Sequence, residues 1–245
     1  MYRTKKHFTK QNFKKIIMKN ILIIGGSSGI GLEVLKQQLQ NNNTVINLSR
    51  TRPAISNQML HHHDIDILKD NLPDIEHIDH LIYCPGSINL KPIMSLTVDD
   101  FRHDFEINVI GAVKSIQKYL PKLKQATQPS IVLFSTVAAK LGMPYHASVA
   151  TAKSGVEGLV KSLGAELAPH IRINAIAPTI TATPLSASIL RNDRMKEMMV
   201  ERHPLKKYLD PEEVANMVDF LISKNANAIS GQIFEMDYGL VTFKI

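Results

Sequence analysis

The residues best suited to chemistry open at Gly25-Gly26-Ser27-Ser28-Gly29-Ile30-Gly31, spaced G-x-x-x-G-x-G. Glycines let a backbone turn sharply and approach a ligand. Unpaired N–H groups at the start of a following helix attract phosphate, and the helix dipole adds to that pull. Other chemistry-bearing types follow at wider spacing. Arg50 and Arg52 stand after a short apolar run, where a dinucleotide fold meets the adenosine ribose. A carboxylate there favours a free 2′-hydroxyl and arginine a 2′-phosphate, so these residues point to NADP(H) rather than NAD(H). Two solvated loop arginines are the alternative reading. Asp64 is a polar residue at a strand end on the same side, and Gly86 offers another close backbone approach. Asn108 sits on a stripe of Phe105, Val109, Ala112, Val113 and Ile116, where asparagine is mildly unfavourable in a helix. Lys153 lies on a face rich in alanine and glycine. His61, His62 and His63 are adjacent, so in a strand they alternate between faces, and no metal site is expected from them. Cys84 has nothing near it in sequence to lower its pKa and reads as a small buried residue.

The elements that must hold these groups follow from periodicity. Ile21-Leu22-Ile23-Ile24 is a buried parallel strand, and the apolar period becomes helical over 32–39. Strands are expected at 44–48, near 61–65, at 80–83, 130–135, 171–176 and 232–236. Helices are expected at 98–120, 148–168 and 211–223, the first capped by Thr97 or Asp99. Residues 179–208 read as irregular and polar, a mobile lid over a substrate. This alternation predicts an α/β, Rossmann-like, doubly wound parallel sheet with helices on both faces, in a single domain over 18–245.

Bulk properties exclude several classes. The 245 residues are 44% hydrophobic and 21% charged, enough for one sizeable core. No apolar run spans a bilayer, and one cysteine fits a reducing, cytoplasmic setting. The net charge of +7 suggests nucleic acid, yet Arg3, Lys5, Lys6, Lys10, Lys14 and Lys15 lie in residues 1–17 with no acid. Without those 6, 23 basic residues face 22 acidic ones. The charge thus belongs to a tail, and neither nucleic acid nor membrane is expected as a partner. Residues 1–17 read as a disordered extension, or as a start assigned too early before Met18; they also have the composition of a transit peptide.

In combination, these motifs from Asn20 to Leu240 resemble the short-chain dehydrogenase/reductase family. Residues 25–31 look like its glycine motif, and Asp64-Ile65 like its adenine-contacting pair. Tyr83-Cys84-Pro85-Gly86 stands where the family has Asn-Asn-Ala-Gly. Asn108 falls on its catalytic, water-holding asparagine, and Lys153 on the lysine of Tyr-x-x-x-Lys. Pro178 and Thr183 fall on the segment along the nicotinamide. The resemblance implies cofactor binding by Gly25, Ser27, Ser28, Gly29, Ile30, Gly31, Arg50, Asp64, Ile65, Pro85, Gly86, Lys153, Pro178 and Thr183. It also implies a homodimer or homotetramer, which Ala150, Ser154, Gly155 and Gly158 on an outer helix face permit.

The reaction centre departs from that pattern. Val149 stands at the tyrosine position and cannot donate a proton; Thr136 stands at the serine position and keeps a hydroxyl. A helix beginning early would put Tyr145 and His146 on the face of Val149 and Lys153. His146, seven residues before Lys153, is the expected substitute acid, with Tyr145 in reserve. Loop residues plugging a pocket are the alternative. Two functions follow. One is an NADP(H)-dependent oxidoreductase acting on a small carbonyl, alcohol or enoyl substrate, with Lys153, Asn108, Thr136 and His146 as its reaction centre. The other is a catalytically inactive NADP(H) sensor or structural protein. Arg191, Arg194 and Arg202 could meet an acidic group on a ligand.

Overall fold

The computed structural model describes residues 18–243. The basic tail of residues 1–17, and every expectation placed on it, lies outside them. Seven strands form one fully parallel sheet: β1 (Asn20–Ile24), β2 (Thr44–Ser49), β3 (Leu60–Asp64), β4 (His80–Tyr83), β5 (Ser130–Phe134), β6 (Arg172–Pro178) and β7 (Ile233–Met236). Their spatial order is β3-β2-β1-β4-β5-β6-β7. The chain moves outward from β1 in one direction, then restarts beside it with β4. That reversal leaves a crevice at the carboxyl ends of β1 and β4, where such sheets bind ligands.

Among the described residues the strands alternate with six α-helices: α1 (Gly29–Gln40), α2 (Val98–Phe105), α3 (Gly111–Leu123), α4 (Ala147–Glu166), α5 (Asp193–Arg202) and α6 (Pro211–Ile222), with α1 and α6 on one face of the sheet and α3 and α4 on the other. Two cores result. One packs Leu22, Leu81, Ile116, Tyr119, Leu133 and Val160 between the sheet, α3 and α4. The other packs Ile21, Ile23, Val34, Leu35, Val214 and Val218 between the sheet, α1 and α6. The central strands are buried on both faces, which is why they read as unbroken Ile/Leu/Val runs rather than alternating ones.

Three expectations need correction. Residues 179–208 are not irregular throughout: they contain α5, started by Asn192, whose Oδ1 accepts from the Met195 amide at 2.9 Å. No residue of α5 is buried, so it lacks the apolar stripe that marks a helix in sequence. The strand expected at 171–176 runs instead over Arg172–Pro178, and Pro178 ends it in register with Met236.

The expected helix at 98–120 runs to Leu123 but with a π turn at Glu106–Ile110 between α2 and α3. There the Gly111 amide reaches the Glu106 carbonyl, one residue further back than in an α-helix. Asn108 Nδ2 donates to the Asp104 carbonyl at 2.7 Å, and the Tyr83 hydroxyl donates to the Ile107 carbonyl at 2.6 Å. Side chains thus satisfy backbone groups at the bulge. A Cβ on Gly111 would lie 2.1 Å from that hydroxyl, so glycine at 111 admits Tyr83. No described helix is long and apolar enough to cross a membrane.

Candidate functional site

The glycine turn leaves β1 at Gly25, whose φ of +83° suits glycine. Its amide is already used, donating to the Leu48 carbonyl at 2.8 Å, and the Gly26 amide donates to Asn47 Oδ1 at 3.0 Å. The expected gripping loop therefore narrows at its start: Gly25 shapes the turn, and the free donors lie further on. Ser28 caps α1 without a side-chain hydrogen bond, and the first helical donor is the Leu32 amide, to the Ser28 carbonyl. The amides of Gly29, Ile30 and Gly31 precede it and have no intrahelical acceptor. Gly31 packs so closely that a Cβ there would lie 2.3 Å from the Gly25 carbonyl oxygen. A Cβ on Gly29 would lie 3.3 Å from the Thr183 side chain, so the strap after β6 rests on the turn. Pro85 packs on the other side, its ring 3.1 Å from a Cβ on Gly25.

A cavity of about 260 Å³ opens beside this turn. Its lining brings together Ile30, Gly86, Thr136, His146, Lys153, Pro178 and Thr183, all named from sequence, with Val149 among them. Val149 is 5% exposed and fills the wall as a hydrocarbon. No tyrosine lines the cavity among the described residues. Thr136 Oγ1 accepts from the Ala138 amide at 3.3 Å, which leaves its proton free for a ligand. Lys153 Nζ donates to the Phe134 carbonyl at 2.8 Å, and burial pushes its pKa down to about 8, although Cys84 and Asp104 oppose the shift. Burial likewise pushes the Cys84 thiol up to about 12, so it is no nucleophile at neutral pH.

Gly86 lies between two of these groups. A Cβ on it would be 3.2 Å from Asn108 Oδ1 and 3.4 Å from Lys153 Nζ. Asn108 does not line the cavity; it sits beneath Gly86, buried, with Oδ1 lacking a hydrogen-bond partner. The π turn is what aims it there.

The two substitute acids separate. Helix α4 begins at Ala147, so Tyr145 lies before it, with φ of +70° and 57% exposed. It faces an adjoining recess with Ile93 and Gly142 rather than the cavity. His146 is the N-cap residue and lines both; its Nδ1 lies 2.7 Å from the Pro144 carbonyl and must carry the proton of that bond. Nε2 is then the ring nitrogen left for a ligand.

Arg50, Asp64 and Ile65 lie at the ends of β2 and β3, outside the cavity. Arg50 is exposed, while Asp64 Oδ1 accepts from His62 Nε2 at 2.9 Å. His62 Nδ1 in turn accepts from Asn47 Nδ2 at 3.0 Å, joining that strand end to the glycine turn. His61 and His63 are exposed on the opposite face. Of the three arginines named for an acidic ligand, only Arg202 lines the cavity. Gly155 is not free for a second copy: Phe105 and Val109 would lie 3.3 Å from a Cβ there. Ser154 and Gly158 remain exposed.

Sequence reasoning missed four cavity-side groups. His203 is buried, with Nδ1 2.6 Å from the Met199 carbonyl and Nε2 2.7 Å from Thr179 Oγ1, so it ties α5 to the end of β6. Ser87 lines the cavity and donates to buried Asp104. The helical spacing of Asp104 and Asn108, four residues apart, was the one available signal for Asp104.

Three comparisons bear on this arrangement. A family model described as Enoyl-(Acyl carrier protein) reductase matches residues 65–241. A tropinone reductase homolog of Arabidopsis thaliana is 32% identical over 164 residues, 66% of this chain and 61% of that protein. Carbonyl reductase [NADPH] 2 of Sus scrofa is 25% identical over 230 residues, 89% of this chain and 94% of its own. Among solved structures, the ligand-free aldohexose dehydrogenase of Thermoplasma acidophilum superposes with a TM-score of 0.85 at 26% identity, covering 94% of this chain and 96% of that one.

Proposed function

The chain belongs to the short-chain dehydrogenase/reductase family, and from that premise we propose that it is an NADP(H)-dependent oxidoreductase acting on a small carbonyl, alcohol or enoyl substrate. The observation that carries this reading is the joint placement of the glycine turn, Gly86, Lys153 and Pro178 around one cavity. The turn fits a pyrophosphate: its Gly31 leaves no room for a side chain, and α1 offers uncapped amides. When bound, the nicotinamide supplies or takes up hydride.

The chain's own residues do the rest. Ser27, Ser28, Gly29, Ile30 and Gly31 hold the phosphates, Pro85 and Gly86 flank them, and Asp64-Ile65 border the adenine. Lys153 holds the nicotinamide ribose and passes protons, with Asn108 behind it. Thr136 orients the substrate oxygen, Pro178 and Thr183 line the ring's other side, and residues 179–208 close over the cavity and exclude water. Arg50 meets a 2′-phosphate. The name of the porcine relative, which specifies NADPH, supports that choice. We expect Arg50→Glu to weaken NADPH binding about tenfold or more while leaving NADH affinity unchanged or better, as fluorescence titration with each cofactor would measure. Equal losses for both would remove Arg50 from this role.

His146 is the proposed proton donor in place of tyrosine: with Nδ1–H held by the Pro144 carbonyl, it donates from Nε2 in its imidazolium form. His146→Ala is expected to lower hydride-transfer turnover about 100-fold with cofactor affinity intact. Unchanged turnover in stopped-flow NADPH oxidation would dismiss it. Val149 favours a second reading, a non-catalytic NADP(H) sensor on the same scaffold. Cofactor binding without turnover across a panel of carbonyls and enoyl thioesters would select it. We further propose a homodimer or homotetramer formed through the outer faces of α2 and α4, where Val98 is 66% and Phe105 41% exposed beside Ser154 and Gly158.

A further inference from the structure

One hydroxyl on the cavity wall has its proton already committed. Ser87 Oγ donates to Asp104 Oδ1 at 2.5 Å and accepts from Asn108 Nδ2 at 3.2 Å. Asp104 is fully buried, and its Oδ2 has no hydrogen-bond partner. A carboxylate only accepts, so it holds the Ser87 proton toward itself. A hydroxyl oxygen has two acceptor positions; Asn108 takes one, and the other is left for whatever enters the cavity. Burying a carboxylate with incomplete hydrogen bonding is costly, which makes the Ser87 hydroxyl the one side-chain donor it retains and keeps that proton turned from the cavity. The surrounding wall is largely apolar, with Ile88, Leu90, Met143, Ile180 and Leu185.

We propose that Ser87, polarised by Asp104, recognises a hydroxyl group on the substrate, distinct from the carbon that exchanges hydride. Ser87 can only accept, so the ligand must donate; the apolar wall asks for a hydrocarbon body. Ser87 adjoins Gly86, which lies against Lys153 and Asn108, so the recognised hydroxyl is a close neighbour of the reacting group. The substrate class is a hydroxy ketone with an apolar skeleton, or the corresponding diol in the reverse direction. Ser87 makes the contact, and Asp104 is a positioning residue acting through it. The inference rests on reading the cavity as the substrate side of a nicotinamide site.

The test is equilibrium binding to the full chain saturated with NADP⁺, by saturation-transfer NMR titration of 2-hydroxycyclohexanone against 2-methoxycyclohexanone, which lacks the donor. The hydroxy ketone should bind about tenfold tighter, the worth of one hydrogen bond to a polarised hydroxyl. Ser87→Ala should bring the ratio to within about twofold by weakening the hydroxy ketone alone, Ser87→Thr should preserve it, and Asp104→Asn should lower it to roughly threefold. In turnover the same variants should move KM rather than kcat. Equal affinity in the wild type, binding of neither probe, or a preference that survives Ser87→Ala overturns the inference. Should Ser87→Ala fail to fold, Ser87→Thr and Asp104→Asn carry the comparison. A prior titration with NADP⁺ separates the two levels: no cofactor binding sinks the nicotinamide reading and this inference with it, whereas binding without hydroxyl preference sinks this inference alone.

Discussion

Gly31→Ala should abolish measurable NADP(H) binding and destabilise the protein together. The added methyl carbon would lie 2.3 Å from the Gly25 carbonyl oxygen, a backbone atom at the end of β1, and 3.2 Å from Cys84 Cβ. Neither can swing away as a long side chain would. Relief requires α1 to move off the sheet, which breaks the packing of Val34 and Leu35 in one of the two cores. Overpacking of this kind costs about 3 kcal/mol, on the order of 6–12 °C in Tm for a chain of this size. The same shift displaces the amides of Gly29, Ile30 and Gly31. A variant with wild-type Tm and unchanged NADPH affinity would refute the packing argument, and with it the placement of the phosphates.

Lys153 carries the second large effect. Its pKa lies near 8 because burial disfavours the charged ammonium. Activity in the reductive direction should therefore fall as pH rises through about 8, where the proton it holds is lost. Lys153→Met should cost about 1000-fold in kcat/KM, within the range of positioned acid–base groups. Lys153→Arg keeps the charge at any working pH, so the inflection near 8 should vanish from its pH profile even if the rate is low. An unchanged inflection in that variant would assign the titration elsewhere. The stability sign follows as well. The folded pKa is below the unfolded value of 10.5, so between about 8 and 10.5 the unfolded chain binds more protons, and this group's contribution to stability improves with rising pH. Chemical denaturation of wild type and Lys153→Met across that window would read the difference.

The sheet and the glycine turn were legible because their signals are local. Ile21–Ile24 and Ile131–Phe134 are apolar without interruption, as strands covered on both faces must be. Lys153, Thr136 and Pro178 were legible as a set only through their family spacing; nothing in periodicity alone would join them around one cavity. Helix α5 was missed because it buries nothing and so writes no stripe into the sequence. Tyr145 was misplaced because the start of α4 is two residues later than its assignment to that face requires, and a φ of +70° turns it out. The pairings Ser87–Asp104 and Thr179–His203 were invisible for a different reason. Each pair joins residues 17 and 24 positions apart, and such contacts exist only once the chain has folded.

The wide turn at Glu106–Ile110 has a consequence for how length is inherited along this rod. It inserts one residue without ending the helix, so everything downstream is rotated by about 100° relative to an uninterrupted α-helix. Asp104 upstream and Tyr119 downstream are thereby kept in separate angular frames, one serving the cleft and the other the interior. Straightened at constant length, the helix would not lose a contact so much as change phase, offering Lys114 and Lys118 to the sheet, whereas a chain shortened by a single residue there would close into a regular α-helix and keep Tyr119 in place.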